Sequence, residues 1–220
     1  MTRTNAIAVK ICGLSTPEAV AAAVDGGAAM VGFVFYPRSP RAIPPAVAAG
    51  LAGAVPGHVI RVGLFVDPDD ALLDRVLGEV PLDLVQLHGE EAVERVAAIR
   101  RRAGLPVMKA LKIAGPADLD RAAGYADVAD RLLFDAASPA GSAALPGGNG
   151  LAFDWRLLAG RSWPIPWMLS GGLTVANLAE AVATTGTRAV DVSSGVETTP
   201  GRKDMGLIRE FLAAARSIAG

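Results

Sequence analysis

A single cysteine, His88 and a few charged side chains stand at the ends of apolar runs, where chemistry is easiest to place. Cys12 follows the run Ile7 to Ile11 and precedes Gly13. A thiol acts as a base only after losing its proton, which a neighbouring cation favours. Buried cysteines are more often small hydrophobes. Here the period of two along a strand puts Cys12 on one face with Lys10 and Ala8, opposite Ile7, Val9 and Ile11, so that a cation shares its side. Asp135 follows Arg131 to Phe134 and offers a carboxyl for proton transfer, although an isolated aspartate after a strand is commonly only a cap. The same parity gives Gln86 and His88 one face of the run Leu82 to Leu87. Arg41 ends Tyr36-Pro37-Arg38-Ser39-Pro40-Arg41, and a guanidinium grips a carboxylate through two parallel N–H bonds.

Two glycine turns add a binding function. Ser170-Gly171-Gly172 and Ser193-Ser194-Gly195 each follow an apolar run and lead toward a helix. Backbone N–H groups exposed in this way hold anions. Alone, each is an ordinary turn; as a pair on the last two runs they point to a phosphorylated substrate. Gly147-Gly148-Asn149-Gly150 is a third cluster able to close over the same group.

These residues need a scaffold that gathers the ends of many strands. Eight β-rich runs recur, Ile7–Ile11, Met30–Phe35, Ile60–Val66, Leu82–Leu87, Val107–Lys112, Arg131–Phe134, Ile165–Leu169 and Arg188–Val192. Helix-length segments separate them: Pro17–Asp25, Pro45–Ala54, Asp69–Gly78, Glu90–Ala103, Ala117–Ala123, Trp155–Ala159 and Thr174–Thr184, with Lys203–Ile218 last. Ser15-Thr16-Pro17-Glu18 and Asp67-Pro68-Asp69 carry the signals of helix starts. The alternation predicts an α/β chain folded as one (β/α)8 barrel over residues 1–220, with its chemistry at the C-terminal strand ends. An open doubly wound sheet is the other arrangement the alternation allows, but no G-x-G-x-x-G follows the first run. Lys10 and Asp191 point inward on the first and last strands, neighbours in a closed barrel, and read as a buried pair rather than catalysts.

Composition narrows the classes further. Of 220 residues, 51% are hydrophobic, enough for a sizeable core, and 21 basic against 22 acidic residues give no general attraction to nucleic acid or an anionic membrane. One cysteine excludes an internal disulfide and a cysteine-built zinc site, so a reducing, cytoplasmic setting and no metal are expected. The first ten residues lack a signal-peptide core, and the uncharged stretches Ala42–Ile60 and Ser162–Ala179 are broken by proline and glycine, so no membrane span is expected.

The motifs Val9-Lys10-Ile11-Cys12-Gly13-Leu14, Gly32-Phe33-Val34-Phe35 running on to Arg41, Val62-Gly63-Leu64-Phe65-Val66, Val85-Gln86-Leu87-His88-Gly89-Glu90, Leu169-Ser170-Gly171-Gly172-Leu173 and Val190-Asp191-Val192-Ser193-Ser194-Gly195-Val196-Glu197, then Pro200-Gly201, occur in order along the chain. Together they resemble the phosphoribosylanthranilate isomerase family of tryptophan biosynthesis over essentially the whole length. The resemblance implies an Amadori rearrangement of N-(5-phosphoribosyl)anthranilate without cofactor, by a monomer or homodimer. It implies Asp135 as general acid and Cys12 as general base. It also implies that Arg41 holds the anthranilate carboxylate and that Gly171, Gly172, Ser193, Ser194 and Gly195 hold the phosphate, while Gln86 and His88 are expected to face the substrate in the mouth. Both reacting groups must then invert their usual protonation at neutral pH, and Lys10 is expected to lower the thiol. The family's loop after the sixth strand often reads Gly-Gly-Ser/Thr-Gly-Lys-Thr-Phe-Asp-Trp; here Gly147 to Trp155 lacks the hydroxyl and the lysine, so altered loop contacts are expected. Other phosphosugar barrels are alternatives, but an indole-glycerol-phosphate synthase would rely on a lysine and glutamates, and a ribulose-phosphate epimerase on paired aspartates with metal-binding histidines. A non-catalytic phosphate sensor is a third reading, against which both Cys12 and Asp135 speak.

Overall fold

The computed structural model describes residues 6–137, 147, 150 and 152–218. Eight parallel strands close into a barrel in chain order: β1 Ala8–Cys12, β2 Met30–Val34, β3 Ile60–Phe65, β4 Leu84–Leu87, β5 Val107–Ile113, β6 Arg131–Ala136, β7 Trp167–Leu169 and β8 Ala189–Val192. The closure excludes the open sheet. Around it lie α1 Pro17–Asp25, α2 Pro45–Gly53, α3 Asp70–Glu79, α4 Val93–Ala103, α5 Pro116–Ala122, α6 Leu178–Thr185 and α7 Met205–Ile218, while Trp155–Leu158 forms only a 3₁₀ turn. An antiparallel hairpin, β9 Glu197–Thr199 and β10 Arg202–Lys203, stands between β8 and α7.

Local chemistry sets these boundaries. Thr16 accepts from Ala19 N–H at 3.2 Å and Asp69 from Leu72 N–H at 2.7 Å, so α1 and α3 begin where their caps require. The segment Glu90–Ala103 turns helical only at Val93, because the buried Glu91 carboxylate is spent on the loop, accepting from Asp67 N–H at 2.9 Å, Gly89 N–H at 3.0 Å and Lys109 Nζ at 2.7 Å. Likewise Asn177 folds back to accept from Thr174 N–H at 2.8 Å and donate to Gly172 O at 2.9 Å, delaying α6 to Leu178.

Parity divides the barrel as expected. Val9, Ile11, Val31, Phe33, Val85 and Phe134 join the large core beneath the helices. A separate inner cluster, Met30, Val62, Leu84, Met108, Ala110, Leu133 and Met168, plugs the barrel, and Cys12, Val34 and Leu64 form another near the mouth. The register sets Lys10 opposite Asp191, and the pair meets at 2.8 Å with Lys10 wholly buried. Among the described residues no helix is long and apolar enough to cross a membrane.

Candidate active site

Cys12, Arg41, His88, Asp135, Ser170, Gly171, Gly172, Ser193 and Ser194 line one pocket at the C-terminal mouth, with Val34, Tyr36, Leu64, Val66 and Leu173 as its apolar wall. Asp135 is the penultimate residue of β6, which runs two residues beyond the Arg131–Phe134 expected from the sequence, and its backbone pairing in the sheet fixes its direction. Its Oδ1 accepts from Ala136 N–H at 2.9 Å, and its Oδ2 lies 3.0 Å from His88 Nε2. The other nitrogen, Nδ1, lies 3.0 Å from the Gln86 amide nitrogen. With the Gln86 amide turned so that its NH2 faces Nδ1, that nitrogen accepts and the imidazole hydrogen belongs on Nε2, toward Asp135. Gln86 shares the face of His88 as parity requires, yet it lies a layer deeper, wholly buried and away from the pocket lining. It therefore meets His88 and does not line the pocket.

Cys12 stands on the pocket wall, 4% exposed. Burial pushes its thiol up, and Asp191 adds to this; Lys10 and Lys203 pull the other way without prevailing. Lys10 does lower the thiol as expected, but burial outweighs it, so the net shift is upward. Burial works against that ammonium too, but Asp191 and Cys12 hold it above the usual lysine value. Ser170 Oγ donates to the second Asp191 oxygen at 3.3 Å, and Ser193 Oγ donates to the Cys12 carbonyl at 3.1 Å.

Arg41 is 5% exposed, not a solvated surface arginine. Its Nε and Nη2 each donate to a separate Glu197 oxygen at 2.8 Å. Glu197 also accepts from Lys203 Nζ at 2.7 Å, and that amine donates to Ser193 O at 2.9 Å and lies 3.1 Å from Ser193 Oγ. Burial raises the Glu197 carboxyl, yet Arg41 and Lys203 bring it below the usual carboxylate range; burial carries Lys203 below the usual lysine value. Neither Glu197 nor Lys203 stands out in the sequence as a site residue. Lys203 reads as the start of the last helix, and only the Pro200-Gly201 turn hints at a hairpin.

The glycine turns are sterically determined. Gly171 has φ +91, and a Cβ there would lie 2.7 Å from Ala136 N and 3.0 Å from Asp135 Oδ1. A Cβ on Gly195 would lie 1.9 Å from the Leu173 carbonyl, so this residue joins the two turns by close packing and does not itself line the pocket. Of the third glycine cluster, Gly147 and Gly150 line the pocket, while Gly148, Asn149 and Leu151, which carry most of the loop's departure, lie outside the described residues.

The family model described as N-(5'phosphoribosyl)anthranilate (PRA) isomerase matches residues 9–214. The chain belongs to this family. It is 65% identical over 212 residues to the N-(5'-phosphoribosyl)anthranilate isomerase of Rhodospirillum centenum, covering 96% of this chain and 99% of that one. The phosphoribosyl anthranilate isomerase structure from Thermotoga maritima superposes with a TM-score of 0.85 at 37% identity, covering 96% of this chain and 99% of that one. Another such isomerase, solved with reduced 1-(o-carboxyphenylamino)-1-deoxyribulose 5-phosphate, gives a TM-score of 0.81 at 36% identity, with the same 96% and 99% coverage. Membership of the phosphoribosylanthranilate isomerases makes this chain an isomerase of tryptophan biosynthesis and removes the other phosphosugar barrels and the sensor from consideration.

Proposed function

We propose that the mouth catalyses the Amadori rearrangement of N-(5-phosphoribosyl)anthranilate to 1-(2-carboxyphenylamino)-1-deoxyribulose 5-phosphate, with Asp135 as acid and Cys12 as base. The observation that carries this reading is one pocket wall bearing a thiol, a histidine-backed carboxyl and two glycine turns. Asp135 gives its proton to the furanose ring oxygen, the C1′–O bond breaks, and the anthranilate nitrogen lone pair closes an iminium. The carboxylate left behind is received by two donors already in place, His88 Nε2–H and Ala136 N–H. The Cys12 thiolate then removes the C2′ proton, and the electron pair flows to nitrogen, giving an enolamine that becomes the ketone. The iminium adds positive charge next to Cys12 to that of Lys10 and Lys203, which burial outweighs in the free site. In this reading Gln86 and His88 position the acid, and Arg41 receives the aromatic carboxylate. Complementation of a tryptophan auxotroph lacking this isomerase tests the activity, with Cys12→Ala as the control expected to fail.

The phosphate is assigned to the turns after β7 and β8. Crystals grown with sulfate are expected to hold an anion against the backbone N–H groups of Gly172 and the Ser194-Gly195 turn. Gly172→Asp is expected to weaken inorganic phosphate binding about tenfold or more, since it places a negative charge beside the bound one. An anion settled elsewhere in the mouth overturns the assignment.

The pH profile follows from the thiol. In the reacting form Cys12 is ionised while Asp135 still holds its proton, so the titration of the thiol marks the alkaline end of kcat/KM. Burial moves that limb upward, and it is expected above the ordinary cysteine value of about 8.5. The 13Cβ shift of this single cysteine, followed against pH in the free protein, reads the same ionisation independently. A limb below the ordinary value contradicts the role given to burial.

A further inference from the structure

The hairpin after β8 adds to the eight-unit plan a buried carboxylate that the chemistry above does not use. The side chains of Arg41, Glu197 and Lys203 are 5%, 3% and 2% exposed, so two cations and one anion share a dry cluster at the rim. Ion clusters of this kind are weak contributors to stability, because desolvation offsets the attraction and apolar replacements are often as good. Their value lies in geometry. Glu197 takes the side edge of the guanidinium, through Nε and Nη2, and so fixes the direction of the edge that carries Nη1. The aliphatic stem is fixed too, since Arg41 packs on Gly13 closely enough that a Cβ there would lie 2.7 Å from Arg41 Cδ. Lys203 and Gly201 N–H hold Glu197 from behind, at 2.7 and 3.2 Å. Lys203 at the same time reaches the Ser193 turn, tying the arginine to the end of β8.

We infer that Glu197 is a positioning residue for Arg41, holding its guanidinium side-on to receive the aromatic carboxylate, with Lys203 as the lock on Glu197. The inference rests on the function proposed above and adds how the site selects an acidic aromatic amine. A long, flexible arginine loses rotamer freedom when it captures an anion; one already held does not. Glu197 thereby lowers the cost of binding the carboxylate end and has no part in proton transfer.

Glu197→Gln keeps the shape but leaves one acceptor for the fork and turns an amide NH2 toward the Arg41 or Lys203 donors. With N-(5-phosphoribosyl)anthranilate, KM is expected to rise about 10- to 50-fold while kcat stays within about threefold. With the analogue lacking the carboxylate, N-(5-phosphoribosyl)aniline, wild type and variant are expected to share the same kcat/KM. Inhibition by inorganic phosphate should be unchanged. A loss in kcat alone, an equal loss on both substrates, or no change in KM overturns the proposal. Wild-type protein gives a second measurement that needs no variant: the Arg41 Nε–H is expected to exchange slowly with solvent, and its 15N signal to move on adding anthranilate but not phosphate. Exchange as fast as that of free arginine overturns the grip. Failure of the underlying function looks different, since wild type then turns over neither substrate; equal wild-type kcat/KM on both substrates refutes the carboxylate contact alone.

Discussion

Asparagine at position 135 and serine at position 12 are each expected to lower kcat by about 10² to 10⁴, the usual worth of a positioned acid or base. Asp135→Asn keeps the size of the side chain and an oxygen to accept from His88 Nε2–H, but an amide has no proton to give to a departing ring oxygen. Cys12→Ser keeps the volume and removes the ionisation, because a hydroxyl in so buried a place does not become an alkoxide near neutral pH. The proposed function gives binding to Arg41 and the glycine turns, so KM is expected to change little in either variant. Steady-state kinetics with near-UV circular dichroism as a check on folding decides the matter. Near-full activity in Cys12→Ser would make the thiol a packing residue and His88 the next base to test.

Removing the carboxylate of Asp191 is expected to cost stability instead. Lys10 is wholly buried and its Nζ lies 2.8 Å from Asp191 Oδ1, so Asp191→Ala leaves an ammonium without its counter-charge inside the barrel. Breaking one side of a buried pair costs about 3–5 kcal/mol. For a chain of this length that lowers Tm by roughly 6–20 °C, at about 2–4 °C per kcal/mol. The paired change Lys10→Met with Asp191→Leu is expected to restore most of the loss, since apolar residues of similar volume replace such pairs at little cost. Urea unfolding of the two variants measures both; a loss under about 1 kcal/mol for Asp191→Ala means that Lys10 is not charged in the native state.

Parity made much of this site legible in advance. Lys10, Cys12, Asp191 and Ser193 face inward as the alternation requires, and the eight runs pointed to the barrel while the strand closure decided against an open sheet. Depth along a strand was less accessible: period two gives Gln86 and His88 one face, but only the register shows that Gln86 is covered by its neighbour. The Arg41 partner lies 156 residues away on a hairpin outside the repeat, and no local pattern announces such a pairing. Lys203 was hidden because Lys203 to Ile218 continues into a strongly amphipathic helix, and the short β10 leaves no periodic trace of its own. The Cys12 thiol is a balance between burial and three nearby charges, and a sequence gives the charges without the burial.

The join between β1 and β8 brings together residues 181 apart in sequence, so it is the last strand pairing of the barrel that a growing chain can make. Until β8 is synthesised, β1 is an open edge with unpaired backbone groups, the kind of surface that recruits strands from other chains. Lys10 sits in the middle of that edge. A charge pointing inward from an unpaired strand discourages foreign partners, which would have to bury it without a carboxylate. Only the chain's own eighth strand carries Asp191 at the matching register, so one ion pair both seals the finished barrel and guards its first strand against misassembly while the chain is incomplete.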